Sequence, residues 1–386
     1  MKKKHWLIAG ILAIVTFLLG LLANSIMNRS QEAEFIAKGG NNLPDQECKN
    51  ELFAPFYPRQ YDSWKATADT TFRSKYMSSQ DDDLLALRPE MVVLWAGYAF
   101  SKEYNAPRGH MHAIEDVTKI LRTGAPTDST HSPQPGTCWT CKSPDVPRLM
   151  KKVGLDNYYS APWDKWGNEI VNPIGCATCH NTKTMKLEVH QPALVEAFER
   201  QGKDINNATH QEMRSLVCAQ CHVEYYFKGD KKHLTFPWDK GMTIEKMEEY
   251  YDAEGWTDYV HSLSRTPILK AQHPDYELSQ LGIHGQRGVS CADCHMPYKT
   301  DGAVKFSDHH ISSPLRNVSA SCQTCHRQSE EELVKNVYDR QDAVYGMRMK
   351  LEKQLAKVHF KAKFLWDNGA NEEQMKPTLA LIRKSQ

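Results

Sequence analysis

Five short segments decide the fold of this chain, and they read Cys138-Trp-Thr-Cys141-Lys142, Cys176-Ala-Thr-Cys179-His180, Cys218-Ala-Gln-Cys221-His222, Cys291-Ala-Asp-Cys294-His295 and Cys322-Gln-Thr-Cys325-His326. In each segment two thiols are spaced to bond to the two vinyl groups of one haem, and the next side chain can reach its iron. The sequence therefore predicts five haem c groups, whose first axial ligands are Lys142, His180, His222, His295 and His326. The lysine sets one haem apart from the other four.

Cys-x-x-Cys pairs also build zinc sites and disulfide scaffolds. A zinc site does not explain why a histidine follows the second cysteine four times. Disulfide scaffolds are typical of chains much shorter than 386 residues. Both alternatives are therefore disfavoured. The eleventh cysteine, Cys48, lies outside the pairs and is given no role.

The first 30 residues have the order of an export signal. Lys2, Lys3 and Lys4 precede a run without charge from Trp6 to Met27. The run is longer than the usual ~7–15 apolar residues of a cleaved signal and approaches the ~20 that span a bilayer. Residues 1–30 are therefore predicted to be either a signal peptide or an N-terminal membrane anchor. Either alternative predicts an exported protein, in the periplasm or on the outer face of the cytoplasmic membrane.

The remaining chain is predicted to form one haem-binding body and a helical tail. The motifs start 38, 42, 73 and 31 residues apart, so they do not form a regular repeat. Proline and glycine are scattered between them, which indicates helices and long haem-binding loops. We expect a mainly α multihaem cytochrome c fold with little strand, a pentahaem catalytic domain over 31–329 and long C-terminal helices over 330–386. The net charge of +1 does not favour a nucleic-acid partner.

The C-terminal region has the pattern of one long amphipathic helix. From Glu330 to Asn368 there is no proline, and apolar residues recur every seven positions. The recurring residues are Val337, Val344, Leu351 and Val358. This stripe could pack onto the protein's own core or form a subunit interface, and both alternatives remain open.

Lys142 occupies the position at which the other four motifs have a histidine. A lysine must lose its proton to bind iron, which at neutral pH costs roughly 4–5 kcal/mol from a reference pKa of ~10.4. The charge of ferric iron must offset that cost. A chain that only passes electrons could use histidine here, as it does four times. We therefore expect Lys142 to be the proximal ligand of a haem with an open distal face, rather than a surface lysine.

At this point the chain resembles a known family, the pentahaem cytochrome c nitrite reductases that form ammonia. The resemblance extends from about residue 45 to the end, and its most specific segments are Cys-Trp-Thr-Cys-Lys at 138–142, Asn-Ala-Pro-Arg-Gly-His at 105–110, Cys-Ala-Gln-Cys-His-Val-Glu-Tyr-Tyr at 218–226 and Leu-Lys-Ala-Gln-His-Pro at 269–274. It implies that nitrite binds at the Lys142 haem and is reduced by six electrons to ammonia. The other four haems would relay those electrons.

The resemblance also implies a substrate pocket of Arg108, Tyr225 and His273. Arginine is a permanent cation that can hold an anion. Histidine can deliver protons or donate a hydrogen bond to a leaving oxygen. A tyrosine hydroxyl can hold a partly reduced nitrogen species. These residue types suit a reaction that consumes protons and breaks two N–O bonds.

A calcium ion near the same haem is a further implication. The matching residues offer oxygen atoms, which Ca2+ prefers. They are Glu224 through its carboxylate, Tyr225 and Lys270 through main-chain carbonyls, and Gln272 through its amide.

The second axial ligands are likewise assigned by resemblance. His110 would serve the haem at Cys218 and Cys221, and His284 the haem at Cys322 and Cys325. His310 would serve the haem at Cys176 and Cys179, with the adjacent His309 as its alternative. For the haem at Cys291 and Cys294 no ligand is assigned, because the family histidine follows the position where this sequence stops. We interpret the sequence as truncated relative to the family.

The partners are also expectations. The family pattern implies a homodimer through the C-terminal helices and a membrane quinol-oxidising cytochrome as electron donor. The alternative function is a non-catalytic multihaem electron-transfer cytochrome, in which every iron is six-coordinate. A related reductase of hydroxylamine or sulfite would fit the same open iron.

Overall fold

The computed structural model of the protein describes residues 2–40, 43–118, 120–121, 134–302 and 304–386. Helices dominate these residues, and most of them are short. Their bounds are α1 (Lys2–Gly40), α2 (Pro58–Lys65), α3 (Leu84–Leu87), α4 (Glu90–Leu94), α5 (Glu115–Thr118), α6 (Asp145–Val153), α7 (Leu155–Ser160), α8 (Cys176–Cys179), α9 (Pro192–Arg200), α10 (His210–Ala219), α11 (Ile244–Ala253), α12 (Asp275–Leu281), α13 (Ile283–Gln286), α14 (Cys291–His295), α15 (Val318–Ser321), α16 (Glu330–Asp367) and α17 (Glu372–Ser385).

Strand is confined, within the described residues, to three antiparallel hairpins. They pair β1 (Tyr226–Lys228) with β2 (His233–Thr235), β3 (Tyr259–Val260) with β4 (Pro267–Ile268), and β5 (Tyr298–Asp301) with β6 (Val304–Ser307). Each hairpin adjoins a segment of interest, because β1 follows Tyr225, β4 precedes Lys270 and β6 precedes His309. The predicted mainly α fold with little strand is confirmed.

Each haem motif lies on or beside a short helical turn. The pair at Cys176 and Cys179 is α8 itself, and the pair at Cys291 and Cys294 lies in α14. Residues three apart on a helical turn are neighbours on one face. Local helix therefore points both thiols of a motif to the same side, as attachment to one macrocycle requires.

The largest hydrophobic cluster anchors the lysine motif. Trp139, the second residue of that motif, is fully buried. Its ring stacks on the ring of Trp163 with the centres 4.5 Å apart. Its indole N–H donates a hydrogen bond of 2.8 Å to the carbonyl oxygen of Trp163. Because one residue of the motif is fixed in the core, the side chains of Cys141 and Lys142 start from a rigid position.

The helix α16 confirms the long C-terminal helix expected from the heptad pattern. The hydroxyl of Ser329 caps its first turn by accepting from the N–H of Glu332. One face is buried and includes Leu355 and His359. The carboxylate of Glu352 on this face pairs with Arg88 at 3.1 Å. Of the heptad residues, Val344 and Leu351 are exposed, whereas Val337 and Val358 are partly buried.

The helix α1 is exposed along its apolar part. Within the described residues it is the one helix long and apolar enough to cross a membrane, over Lys4–Gln31 with a mean hydropathy of 2.6. None of its most apolar window is buried against the rest of the chain. This agrees with either a signal peptide or an anchor, and so with export.

Candidate haem centres and reaction site

Three motif histidines each face a second histidine from a distant segment. The ring centres are 6.3 Å apart for His110 and His222, 6.2 Å for His180 and His309, and 6.0 Å for His284 and His326. A metal midway between two imidazoles, with bonds of about 2 Å to nitrogen, separates the ring centres by about 6 Å. The three pairs therefore have the spacing that an iron between them requires.

The number of ligands in these pairs also suits haem. Within the described residues, no group of three or more His, Cys, Asp or Glu side chains could hold a metal ion by itself. A haem iron already has four nitrogen ligands from its macrocycle, so that it needs only two from the protein. Pairs of histidines are what such an iron would require.

The structure favours His309 over the predicted His310 as the second ligand for the haem at Cys176 and Cys179. The ring opposite His180 belongs to His309. The N–H of His309 donates to Ser63 and its Nδ1 contacts the carbonyl of Ser307 at 2.8 Å, which fixes the ring. Beyond β6 the chain is not helical, and consecutive side chains in such a segment tend to point in opposite directions. His310 therefore lines a different cavity, beside His295.

Three of the four motif histidines are oriented through Nδ1. This atom contacts the carbonyl of Met185 in His180 (2.9 Å), the carboxylate of Asp275 in His222 (3.1 Å) and the carbonyl of Ser312 in His295 (2.9 Å). An N–H at Nδ1 leaves Nε2 as the free lone pair for a metal. Burial lowers the pKa of His180 to about 4, which keeps its ring neutral.

The attachment points of different haems adjoin one another. Thiols of different motifs interact, among them Cys141 with Cys221, Cys218 with Cys291, and Cys294 with Cys322. Electrons pass efficiently only between cofactors that lie close together. The packing of the motifs therefore suits electron transfer from haem to haem towards the lysine motif.

The side chain of Lys142 lies among the site residues. Its charge lowers the pKa of both His110 and His273, after the larger effect of their burial, so it is close to both rings. The backbone N–H of Lys142 donates to the carbonyl of Trp139 at 2.9 Å. The lysine is only partly exposed. It does not extend into solvent as an ordinary surface lysine would.

Tyr225 and His273 form one aromatic pair beside the lysine motif. Their ring centres are 5.6 Å apart, and His273 is 5.8 Å from His222. Tyr225 also interacts with the thiols of Cys141 and Cys138. Burial raises the pKa of the Tyr225 phenol, so it keeps its proton. Burial lowers the pKa of His273 to about 4, so its ring is neutral and carries one N–H.

Arg108 is held by carboxylates instead. Its guanidinium pairs with Asp116 at 2.6 Å and with Glu115 at 3.0 Å. Its backbone N–H also donates to Asp116 at 2.9 Å. Among the described residues, no contact joins Arg108 to Tyr225 or His273. The structure thus brings Tyr225 and His273 together, whereas the third predicted pocket residue, Arg108, is paired with two carboxylates.

The predicted calcium residues converge next to Tyr225. The carboxylate of Glu224 accepts from the hydroxyl of Tyr251 at 2.8 Å and from the N–H of Gln272 at 2.6 Å. The amide oxygen of Gln272 contacts the ammonium of Lys270. Burial raises the pKa of Glu224 to about 7. A buried carboxylate with further oxygen donors around it suits a hard divalent cation, which would offset the cost of burying the charge.

Sequence reasoning missed two residues of this cluster. Asp258, on the strand side of the site, accepts from the N–H of Lys270 at 2.8 Å, and burial raises its pKa. Tyr251 lies on α11, which packs over Glu224. Neither residue belongs to a motif with a metal-ligand spacing. Only their burial beside Glu224, which a sequence does not show, connects them to the site.

The fold and the five motifs define a multihaem c-type cytochrome. The family model described as cytochrome c552 matches residues 49–386, and the chain belongs to that family. Cytochrome c-552 of Bacteroides thetaiotaomicron is 61% identical over 382 residues, which are 99% of this chain and 78% of that protein. Cytochrome c-552 of Parabacteroides distasonis is 60% identical, covering 99% of this chain and 77% of that protein.

A solved structure agrees with the sequence comparison. Cytochrome c nitrite reductase from Desulfovibrio desulfuricans matches with a TM-score of 0.82 and 31% identity, covering 89% of this chain and 79% of that chain. The catalytic subunit of that enzyme is described with two calcium sites. The family resemblance drawn from the sequence is therefore confirmed.

Replacing Arg108 by alanine tests what its guanidinium does. Because Asp116 and Glu115 already neutralise it, we expect Arg108→Ala to disturb the segment that carries His110, and so to alter the low-spin electron paramagnetic resonance signal of one haem. The Michaelis constant for nitrite should change by less than about twofold. Arg73→Ala, which breaks a comparable but distant pair with Asp82, is the control. A tenfold rise in the Michaelis constant for nitrite with unchanged low-spin signals would contradict this expectation and would show that Arg108 binds the anion.

Proposed function

We propose that this chain reduces nitrite to ammonia, a six-electron reaction, at the haem attached through Cys138 and Cys141. The observation that supports the proposal is the pair of proton donors beside the lysine motif, Tyr225 and His273. His180, His222 and His326 each face a second imidazole. Among the described residues no ring contact joins His295 to another histidine, so the donors, and not the lack of a second histidine, single out the lysine motif. An iron without a second protein ligand, placed beside proton donors, suits catalysis better than electron storage.

The residues of the pocket would bind the anion and move protons. When bound, the haem would supply the electrons and an iron that binds nitrite. Lys142 would hold that iron through its uncharged Nζ. The O–H of Tyr225 and the N–H of His273 would donate hydrogen bonds to the nitrite oxygens. His273 would then pass protons to these oxygens, which leave as water.

Replacing Lys142 by leucine tests the reaction centre. We expect Lys142→Leu to lower nitrite turnover with reduced viologen at least about tenfold, while mass spectrometry still finds the other four haems. A high-spin ferric signal that shifts on adding nitrite should be present in the natural protein and lost in the variant. Lys151→Leu removes an exposed lysine of α6 and should change nothing.

Two results would contradict the proposal. The first is natural turnover in Lys142→Leu. The second is a fully loaded natural protein that lacks the nitrite-sensitive high-spin signal, which would leave a non-catalytic electron-transfer cytochrome as the function. The same assay with hydroxylamine and with sulfite ranks the substrates.

We further propose that a calcium ion binds at Glu224, Gln272 and the main-chain carbonyls of Tyr225 and Lys270. The hydrogen bonds between Glu224, Gln272 and Lys270 already bring these residues together. The ion would neutralise the buried carboxylates of Glu224 and Asp258. It would also fix the segment that carries Tyr225, so that the substrate pocket depends on the ion.

Metal analysis of two glutamate variants checks this site. We expect Glu224→Gln to lower the bound calcium by one ion per chain, because the amide keeps the hydrogen bond to Tyr251 but not the charge. Glu277→Gln is the matched control, since Glu277 is equally buried and accepts from the N–H of Glu224. Equal calcium content in the two variants, measured by inductively coupled plasma mass spectrometry, would refute the assignment.

We propose that the protein acts outside the cytoplasmic membrane. The apolar length of α1 supports export, either as a cleaved signal or as an anchor. Covalent haem attachment to bacterial c-type cytochromes takes place on that side of the membrane. A membrane quinol-oxidising cytochrome would be a suitable electron donor, since it delivers electrons at the same surface.

A homodimer through α16 is also proposed. The exposed half of its heptad stripe consists of Val344 (62% exposed), Met347 (63%) and Leu351 (45%). Apolar residues that recur along one helix face in a register of seven suit packing against an identical helix.

A charge placed on this stripe tests the dimer. We expect Met347→Glu to convert the dimer to a monomer in sedimentation velocity, because two buried carboxylates would then face each other. Lys353→Glu introduces the same side chain at a position about 120° away around the helix axis. This control should leave the mass of the dimer in sedimentation velocity unchanged. A monomeric natural protein, or a dimeric Met347→Glu variant, would contradict the proposal.

A further inference from the structure

A small cavity lies beside the haem motif of Cys291 and Cys294. Its volume is about 120 Å³, and its lining includes Cys294 and His295 of the motif together with Lys299, His310 and Arg316. Ligand pockets usually measure ~300–1,000 Å³. The cavity is therefore too small for a macrocycle but suits one of its side arms. It is also where His310 lies, instead of at the iron ligated by His180.

The side chain of Arg316 has unused hydrogen-bond donors in this cavity. One terminal nitrogen, Nη1, pairs with the carboxylate of Asp69 at 3.0 Å. The guanidinium lies 5.0 Å from the ring centre of Phe72. Its Nε and its other terminal nitrogen are buried and have no hydrogen-bond partner among the described residues. Burying a donor without an acceptor is destabilising, so these nitrogens indicate a further acceptor.

The geometry of the unused donors specifies the acceptor. Nε and the adjacent terminal nitrogen form the side edge of the guanidinium, which holds two parallel N–H groups. This edge binds a carboxylate through both oxygens. Nearby, the ammonium of Lys299 is already paired with the buried carboxylate of Asp308 at 2.5 Å. Of the lysine and the arginine that line the cavity, Arg316 is therefore the one with an unpaired edge.

We propose that this edge of Arg316 binds a propionate carboxylate of the haem attached through Cys291 and Cys294. The inference rests on haem attachment at this motif, which family membership supports, and not on nitrite reduction at Lys142. A positive charge held against the propionate favours the reduced iron, which carries one positive charge less. Arg316 would therefore raise the reduction potential of this haem relative to the same haem without it.

A redox titration of the holoprotein tests the proposal. We expect Arg316→Gln to keep five haems by mass spectrometry and to lower the midpoint potential of one component in a spectroelectrochemical titration. A tenfold change in its reduction equilibrium constant corresponds to about 59 mV for one electron. The conservative variant Arg316→Lys keeps the charge and should recover part of the shift. Unchanged potentials in Arg316→Gln with five haems attached would overturn the proposal.

Two further measurements distinguish this role of Arg316 from two alternative explanations. If Arg316 acted only by holding Asp69, then Asp69→Asn would lower the same potential, whereas the proposal expects no decrease in that variant. If the edge bound a free anion, the potential of the natural protein would change when sulfate is added at constant ionic strength. Independence from sulfate supports a covalently held carboxylate.

Discussion

Each Cys-x-x-Cys motif must present two thiols and one iron ligand to the same macrocycle, and the rest of the structure depends on this constraint. One helical turn meets it, since residues three apart share a face. The surrounding fold then has to hold the turn and orient the ligand. Buried Trp139 holds the lysine motif, while contacts at Nδ1 fix the rings of His180, His222 and His295.

The proposed function depends on the one motif in which a lysine, and not a histidine, follows the second cysteine. Where a histidine arrives from a distant segment, an iron between the two rings would be closed and would only pass electrons. Beside Lys142 the neighbours are proton donors. Three residues of one segment connect the parts, because His222 is the predicted iron ligand, Glu224 is the proposed calcium carboxylate and Tyr225 is the proposed pocket donor. A shift in this segment would affect electron supply, ion binding and substrate contact together.

Much of this organisation was predictable from the sequence. The motifs indicate haem without any structure, and the heptad pattern of α16 depends only on local periodicity. The choice between His309 and His310 was not predictable, because adjacent residues differ in direction and a spacing does not show direction. The carboxylates on Arg108 were also not evident, since nothing in the chain marks Glu115 and Asp116 as its partners. Asp258 joins the calcium cluster only through tertiary burial.

The proposed function depends most on a bond between the Nζ of Lys142 and the haem iron. This bond can be measured directly by growing the protein with lysine that carries a heavy-nitrogen label at Nζ and recording electron–nuclear double resonance on the high-spin ferric haem. We expect the axial nitrogen coupling to change to that of the heavy isotope. An axial coupling that is unchanged by the label would show that another side chain holds this iron, and Lys142 would not be its ligand.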